Sequence, residues 1–234
     1  KKADAILTDS HFSKAELEAL MQVDPEKVFA VHLGISPEFT PSSSEQMSEC
    51  LRTLGISKPY ILTVGTLEPR KNIPFLIDVF EKLDDFDGQL VIAGMPGWKY
   101  EPIMEKMKCS KRSEDIIYLR YVPDNLLPRL YSGAEVFALV SLYEGFGFPP
   151  LEAMACGTPV ISSSCGSLSE VLGENNALMM DRFEADQWIA NMRSIICDTE
   201  LRNSLSKRGR THAASFRWEE TARQTLEIYR RTAQ

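Results

Sequence analysis

The chain has 234 residues, 44% of them apolar and 25% charged. At about 150 residues per domain this is one large domain or one and a half, and such a composition excludes disorder, collagen or coiled coil for the bulk of it. A net charge of -7, from 26 Lys and Arg against 33 Asp and Glu, argues against a bulk binder of nucleic acid or anionic membrane, so no nucleic-acid partner is expected.

No apolar run approaches the roughly 20 residues that cross a bilayer. The start, Lys1-Lys2-Ala3-Asp4, lacks the apolar core of a secretory signal and lacks Met, which fits a fragment or a trimmed product. Five cysteines, Cys50, Cys109, Cys156, Cys165 and Cys197, form no C-x-x-C pair and read as reduced thiols of a cytosolic protein. His11, His32 and His212 belong to no metal-binding spacing, and no metal site is expected.

In chain order, residues 1–39 hold an apolar strand at Ala5-Ile6-Leu7, a capped helix from Ser13 and a second strand near Val28–Val31. They read as the edge of another unit. The Pro/Ser-rich stretch beginning Thr40-Pro41-Ser42-Ser43-Ser44 reads as a linker over 40–54. From Tyr60 on, six short apolar runs alternate with amphipathic stretches: Tyr60–Val64, Leu90–Ala93, Ile116–Leu119, Val136–Val140, Pro159–Ser162 and Ala177–Met180. Near-continuous apolar runs indicate strands buried on both faces, as in a parallel sheet.

Between these strands, Ile73, Leu76, Ile77, Phe80 and Leu83 form one helical stripe. Asp124 can cap a helix through Leu127 and Leu130, and a helix after Pro149-Pro150 stops at Gly157. The fold class is therefore α/β, a doubly wound, Rossmann-like parallel sheet over 55–215. The last stretch, 216–234, places Trp218, Ala222, Leu226 and Tyr229 on one helical face, which needs a surface to cover it.

Two segments carry chemistry. Gly65-Thr66-Leu67-Glu68-Pro69-Arg70-Lys71-Asn72 leaves the first strand of the sheet and opens its first helix. A helix start offers free N–H groups and a positive dipole end to a phosphate, and Arg70 and Lys71 add two full charges. A basic pair on a solvated turn is an equal reading of those residues alone. The segment matches neither a Walker A loop nor G-x-G-x-x-G. Glu144-Gly145-Phe146-Gly147-Phe148-Pro149-Pro150-Leu151-Glu152 follows the fourth strand. Two carboxylates at the mouth of a sheet can accept sugar or ribose hydroxyls, and glycines let backbone approach a ligand. As isolated residues, an ordinary loop acid and a dipole-favoured helix acid account for the pair better.

Taken together, Arg70-Lys71 after Gly65, Glu144-x7-Glu152 around Gly-Phe-Gly-Phe-Pro, and Gly157-Thr158-Pro159-Val160-Ile161 resemble the donor-binding half of the retaining family-4 glycosyltransferases of GT-B fold. The resemblance covers nearly the whole chain. It implies that 1–39 is the tail of the N-terminal acceptor domain and that 216–234 is a helix crossing back onto it, most of that domain being absent. It implies catalytic roles for Arg70 and Lys71, which neutralise the nucleotide diphosphate, and for Glu144, which orients the donor sugar. Gly65 and Thr66 would lie under the diphosphate, Gly145, Phe146 and Gly147 beside sugar and phosphates, Val122 by the base, and Leu151 and Glu152 at the ribose.

The motif style is similar to bacterial mannosyl- and rhamnosyltransferases of polysaccharide and lipopolysaccharide assembly. It implies a hexose, first of all mannose from GDP-mannose, passed with retention to a lipid- or glycan-linked alcohol. No cofactor or metal is implied, and the expected location is the cytoplasm, or peripherally the inner face of the plasma membrane. Leu168-Ser169-Glu170-Val171 departs from the usual Pro at its second place. Three rivals stand beside this reading. A retaining glycoside hydrolase would use carboxylates about 5 Å apart. A metal-dependent transferase would use the D-x-D of Asp85-Phe86-Asp87, although Asp and Gly are usual at such a turn. The chain alone could also be a nucleotide-sugar-binding module without transfer activity.

Overall fold

The computed structural model describes residues 3–232. A small unit comes first: β1 (Ile6–Thr8) pairs in parallel with β2 (Val28–Ala30), and α1 (His11–Met21) connects them. The cap of α1 is Ser10, not Ser13: the Ser10 side chain accepts the Ser13 N–H. Within the stretch read as a linker, α2 (Ser44–Leu54) forms, because Ser43 and Gln46 make a reciprocal capping box. The Pro/Ser composition hides a helix whose start it in fact supplies.

The main sheet has six strands: β3 (Tyr60–Val64), β4 (Gln89–Ala93), β5 (Ile116–Leu119), β6 (Val136–Leu139), β7 (Val160–Ser163) and β8 (Leu178–Met180). All pairings are parallel, in the order β5-β4-β3-β6-β7-β8. Successive side chains of a strand point to opposite faces. Tyr60 and Leu62 of β3 accordingly join one core layer with Val91, Phe137 and Val160, while Ile61 joins the other with Leu90, Ile92, Val136 and Ile161.

The first layer is covered by α2, α5 (Leu127–Ser132), α6 (Phe148–Ala155) and α7 (Leu168–Leu172). The second is covered by α3 (Ile73–Glu81), α4 (Glu101–Lys108) and α8 (Ala185–Cys197). Asp124 does not cap α5. Its carboxylate accepts the Tyr121 hydroxyl, and α5 starts at Leu127 without a side-chain cap.

Next, α9 (Thr199–Ala213) packs on α6, and α10 (Trp218–Thr232) returns to the small unit. There the Thr221 hydroxyl donates to the His32 carbonyl and Ile228 is buried. The face marked by Trp218, Ala222, Leu226 and Tyr229 is the exposed one.

Order reverses between β3 and β6: the chain winds out to β5 one way and to β8 the other. This is the switch point at which open α/β sheets bind ligands, at the carboxyl ends of the strands. The β3–β6 ladder holds two register pairs, Ile61 with Val136 and Leu62 with Phe137, and stops two residues short of either strand's end.

Two glycines test this packing. Gly55 ends α2 with φ 71 and open space around it, so Gly55→Ala should cost about 1 kcal/mol in denaturant unfolding, the left-handed penalty alone. A Cβ on Gly94 would stand 1.9 Å from the Gly65 carbonyl oxygen at φ +152, so Gly94→Ala should cost about 3 kcal/mol or more.

Candidate active site at the sheet switch point

The two segments singled out in the sequence leave the neighbouring strands β3 and β6 and meet above the gap between them. After β3, Gly65 continues the strand direction, and Leu67 bridges to Pro96. Pro69–Lys71 is a single 3-10 turn, closed by Asn72 at φ 52 before α3 begins. Arg70 and Lys71 thus sit one step ahead of the helix, not in its first turn. The Lys71 side chain passes over Gly65, where an added Cβ would lie 3.1 Å from its Cε.

Glu144 receives both cations. Lys71 Nζ is 2.5 Å from its Oε1 and Arg70 Nη1 3.0 Å from its Oε2. The Ser141 hydroxyl donates to Oε1 at 2.7 Å. Lys71 and Glu144 are buried, at 8% and 6% exposure. Burial pushes the Glu144 carboxyl up, but the Lys71 charge, the hydrogen bonds from Lys71 and Ser141 and the Arg70 charge outweigh it, so Glu144 stays below its ordinary value of 4.5. Arg70 is half-exposed and also reaches Glu68 Oε1 at 2.7 Å and the Tyr143 carbonyl at 3.1 Å. Two positive and two negative groups balance here.

Glu152 is not drawn into this cluster. On α6 its Oε2 accepts the Tyr131 hydroxyl at 2.8 Å, and burial, only partly offset by that bond, raises its pKa. Thr66 is exposed beside Gly97. Phe146, Leu151 and Val122 have side chains in the core, at 4%, 0% and 8% exposure, which leaves only their backbone for a ligand.

The Glu144–Gly147 loop is built around close approaches. Gly166, at φ +68, lies under Glu144, where a Cβ would meet its carbonyl oxygen at 2.2 Å. Gly147, at φ 103, opens α6. Since Pro149 and Pro150 follow in its first turn, two of that turn's N–H groups are missing, and the amides able to meet a ligand belong to the loop ahead of it.

A sequence pattern described as "Glycosyl transferases group 1" matches residues 53–212, a span that contains all of these residues. The chain belongs to that family. Among its group 1 relatives, "O-antigen chain mannosyltransferase B" of Escherichia coli is 34% identical over 97% of this chain and 61% of its own length. A "D-inositol 3-phosphate glycosyltransferase" of Jonesia denitrificans is 29% identical over 99% of this chain and 58% of its own.

In structure, this group 1 member resembles sucrose-phosphate synthase from Thermosynechococcus elongatus (TM-score 0.85, 25% identity, 98% of this chain and 58% of that one). It also resembles Anabaena HepE in complex with UDP-glucose (TM-score 0.86, 19% identity, 97% and 64%). The fold is thus the C-terminal part of a GT-B glycosyltransferase, and the chain spans about three fifths of the length of the curated relatives. No described helix is long and apolar enough to cross a membrane.

As for metals, Asp85 and Asp87 lie just before β4, at the amino ends of the strands and so across the sheet from the site. Asp85 is held by Arg193 at 2.6 and 2.9 Å, and Asp87 by Lys58 at 3.0 Å. Among the described residues, one group, His11, His32 and Glu170, brings possible ligand atoms within 4.8 Å of one another. Its carboxylate already accepts two backbone N–H groups and lies 2.5 Å from the His32 ring nitrogen.

Sequence reasoning missed Ser141, Ser167, Tyr131 and Ser10. A Ser directly after a buried apolar run, as Ser141 is after Val136–Val140, was the one available signal.

Breaking the buried pair should be costly. Lys71→Met leaves the buried Glu144 only the half-exposed Arg70 as counter-charge and is expected to lose about 3 kcal/mol in denaturant unfolding, the low end for a broken buried pair, most of it recovered in Lys71→Met/Glu144→Gln. Because the Glu144 pKa is depressed on folding, its contribution is complete above pH 4.5 and is lost as pH falls through the lower folded value. Wild type should therefore lose more stability than the double variant below pH 4.5.

Proposed function

We propose that this chain is the donor-binding part of a retaining mannosyltransferase that uses GDP-mannose and serves bacterial polysaccharide or lipopolysaccharide assembly. The observation that carries this is the meeting of Arg70 and Lys71 with Glu144 at the switch point of a group 1 glycosyl transferase. The mannosyltransferase relative supports the sugar, and a structural neighbour solved with UDP-glucose supports a nucleotide-sugar donor.

In this reading the diphosphate takes the place of Glu68 and the Tyr143 carbonyl on the half-exposed Arg70. Lys71 stays locked to Glu144 and adds its charge from beneath. As the bond from the anomeric carbon to the diphosphate oxygen breaks, negative charge grows on the leaving oxygens. Fixed positive groups aimed at that charge lower the barrier without reorganising.

Glu144, ionised and held by three donors, is a hydrogen-bond acceptor for sugar hydroxyls and unsuited to give up a proton. Glu152, with its raised pKa, accepts from the ribose. The acceptor alcohol binds to the remaining two fifths of the enzyme, and the reaction takes place at the cytoplasmic side.

A thermal-shift and calorimetric panel of GDP, UDP, ADP and their sugars should show a preference for guanosine, undiminished by EDTA. Arg70→Ala should weaken nucleotide binding by about 1.5–3 kcal/mol, the value of a charge-assisted bond. Wild-type affinity in that variant would overturn the phosphate assignment, and abolition by EDTA with rescue by magnesium or manganese would overturn the metal-free reading.

Transfer needs both substrates aligned, a proximity effect of about 7–11 kcal/mol. The chain alone is therefore expected to bind the nucleotide without turnover, and addition of the N-terminal domain to restore it. Robust transfer by residues 1–234 alone would refute this division of labour.

A further inference from the structure

Residues 1–39 carry a hydroxyl that reaches the donor loop. The C=O and N–H of one trans peptide point to opposite sides, and no described peptide bond is cis. Three successive carbonyls of the loop are tied back. The Glu144 carbonyl accepts the Ser167 N–H at 3.0 Å and its hydroxyl at 3.2 Å. The Gly145 carbonyl accepts Ser10 Oγ–H at 2.7 Å and Ser13 Oγ–H at 3.3 Å. The Phe146 carbonyl accepts the Ser167 hydroxyl at 3.0 Å.

The N–H groups of those same peptides belong to Gly145, Phe146 and Gly147. Among the described residues none has a protein acceptor. By that trans geometry they are turned away from the buried serines. Consecutive oriented amides of this kind bind anions and hydroxyl oxygens.

Ser10 is completely buried, 135 residues from Gly145 in sequence, and its place is set by Glu170 of α7. That carboxylate accepts the His11 and Phe12 N–H groups at 2.8 and 2.9 Å and pairs with His32. The His32 ring lies 6.0 Å from that of Phe146 and 5.8 Å from that of Phe216. The start of α1, the donor loop and the turn into α10 thus share one joint.

We propose that Ser10 is a positioning residue of the donor site. Its hydroxyl orients the Gly145–Phe146 peptide so that the Phe146 N–H meets the sugar end of the donor, and Glu170, with His32, holds Ser10 in place. This rests on the nucleotide-sugar reading and deepens it: the first 39 residues serve the donor as well as the acceptor side.

The test is calorimetric titration of this chain with GDP and GDP-mannose, or with the nucleotide and sugar pair that the panel favours. The variants are Ser10→Ala, Ser10→Asp, Ser10→Thr and Glu170→Gln. Asp keeps the cap of α1 but has no proton to donate, whereas Thr keeps both. In Ser10→Ala and Ser10→Asp, nucleotide affinity should stay within twofold of wild type, while the advantage of the nucleotide sugar over the nucleotide falls by about fivefold to tenfold, as for one lost hydrogen bond. Glu170→Gln should show a smaller loss of the same kind, and Ser10→Thr should keep the advantage.

A purely structural role would lower both affinities together with Tm, and that result overturns the proposal. An undiminished sugar advantage in Ser10→Ala, Ser10→Asp and Glu170→Gln also overturns it, with the nucleotide reading intact. If Ser10→Ala fails to fold, Ser10→Asp and Glu170→Gln decide in the same way. If wild type binds neither nucleotide nor nucleotide sugar, the functional reading fails first and this inference with it.

Discussion

The ion pair between Lys71 and Glu144 closes the one gap that the topology creates. Parallel winding in two directions leaves β3 and β6 side by side, with a ladder that ends two residues before the strands do. Above that point one backbone hydrogen bond, from the Leu142 N–H to the Arg70 carbonyl at 2.7 Å, still joins the two loops. A lysine from one side and a carboxylate from the other add the side-chain tie, and Ser141 fixes the carboxylate. A buried pair is weak evidence for net stability, since desolvation cancels much of the attraction. Its value here is geometric: it sets two crossover loops at one separation and leaves Arg70, the less buried cation, free to change partners.

The loop above this pair shows how irregular backbone is kept in one conformation. It has no ladder of its own, and α6, which it enters, has prolines in its first turn. The carbonyls are taken up by three serines from two separate segments, two of these serines being fully buried. The ring of Phe146 is set among Phe148, Phe216 and His32. Rigid elements on all sides therefore define the direction of three amides before any ligand arrives.

The sheet was legible because its strands are buried on both faces and are short, apolar and evenly spaced. The six runs coincide with β3 to β8 to within a residue or two at their ends. Arg70, Lys71 and Glu144 were legible as chemistry, because charged residues at strand ends next to glycine are conspicuous. Their mutual pairing was not, since it depends on which strands are neighbours.

The capping of α1 and the helix in the linker were misread for a shared reason. Ser10, Ser13 and Ser43 are all plausible caps, and only the reciprocal partners Ser13 N–H and Gln46 decide between them. The serines behind the donor loop were invisible, because serine is common and the partner of Ser10 is 135 residues away. On α10 the apolar stripe pointed to a buried face, yet the side that packs is built on Thr221, Thr225 and Ile228. Threonines can satisfy both the groove and its carbonyls.

The hydrogen bond from Ser10 to the Gly145 carbonyl bears on how such a protein can be recombined. A cut at the start of the 40–54 stretch looks like a clean seam, with one fold on either side. It would nevertheless exchange the side chain that sets a peptide plane in the other half. On the proposed role of Ser10, a chimera joined there carries its partner's residue to the Gly145 carbonyl, and exchange of the leading part alone alters donor handling as well as acceptor choice. On that reading the functional seam lies upstream of β1, not at the visible one.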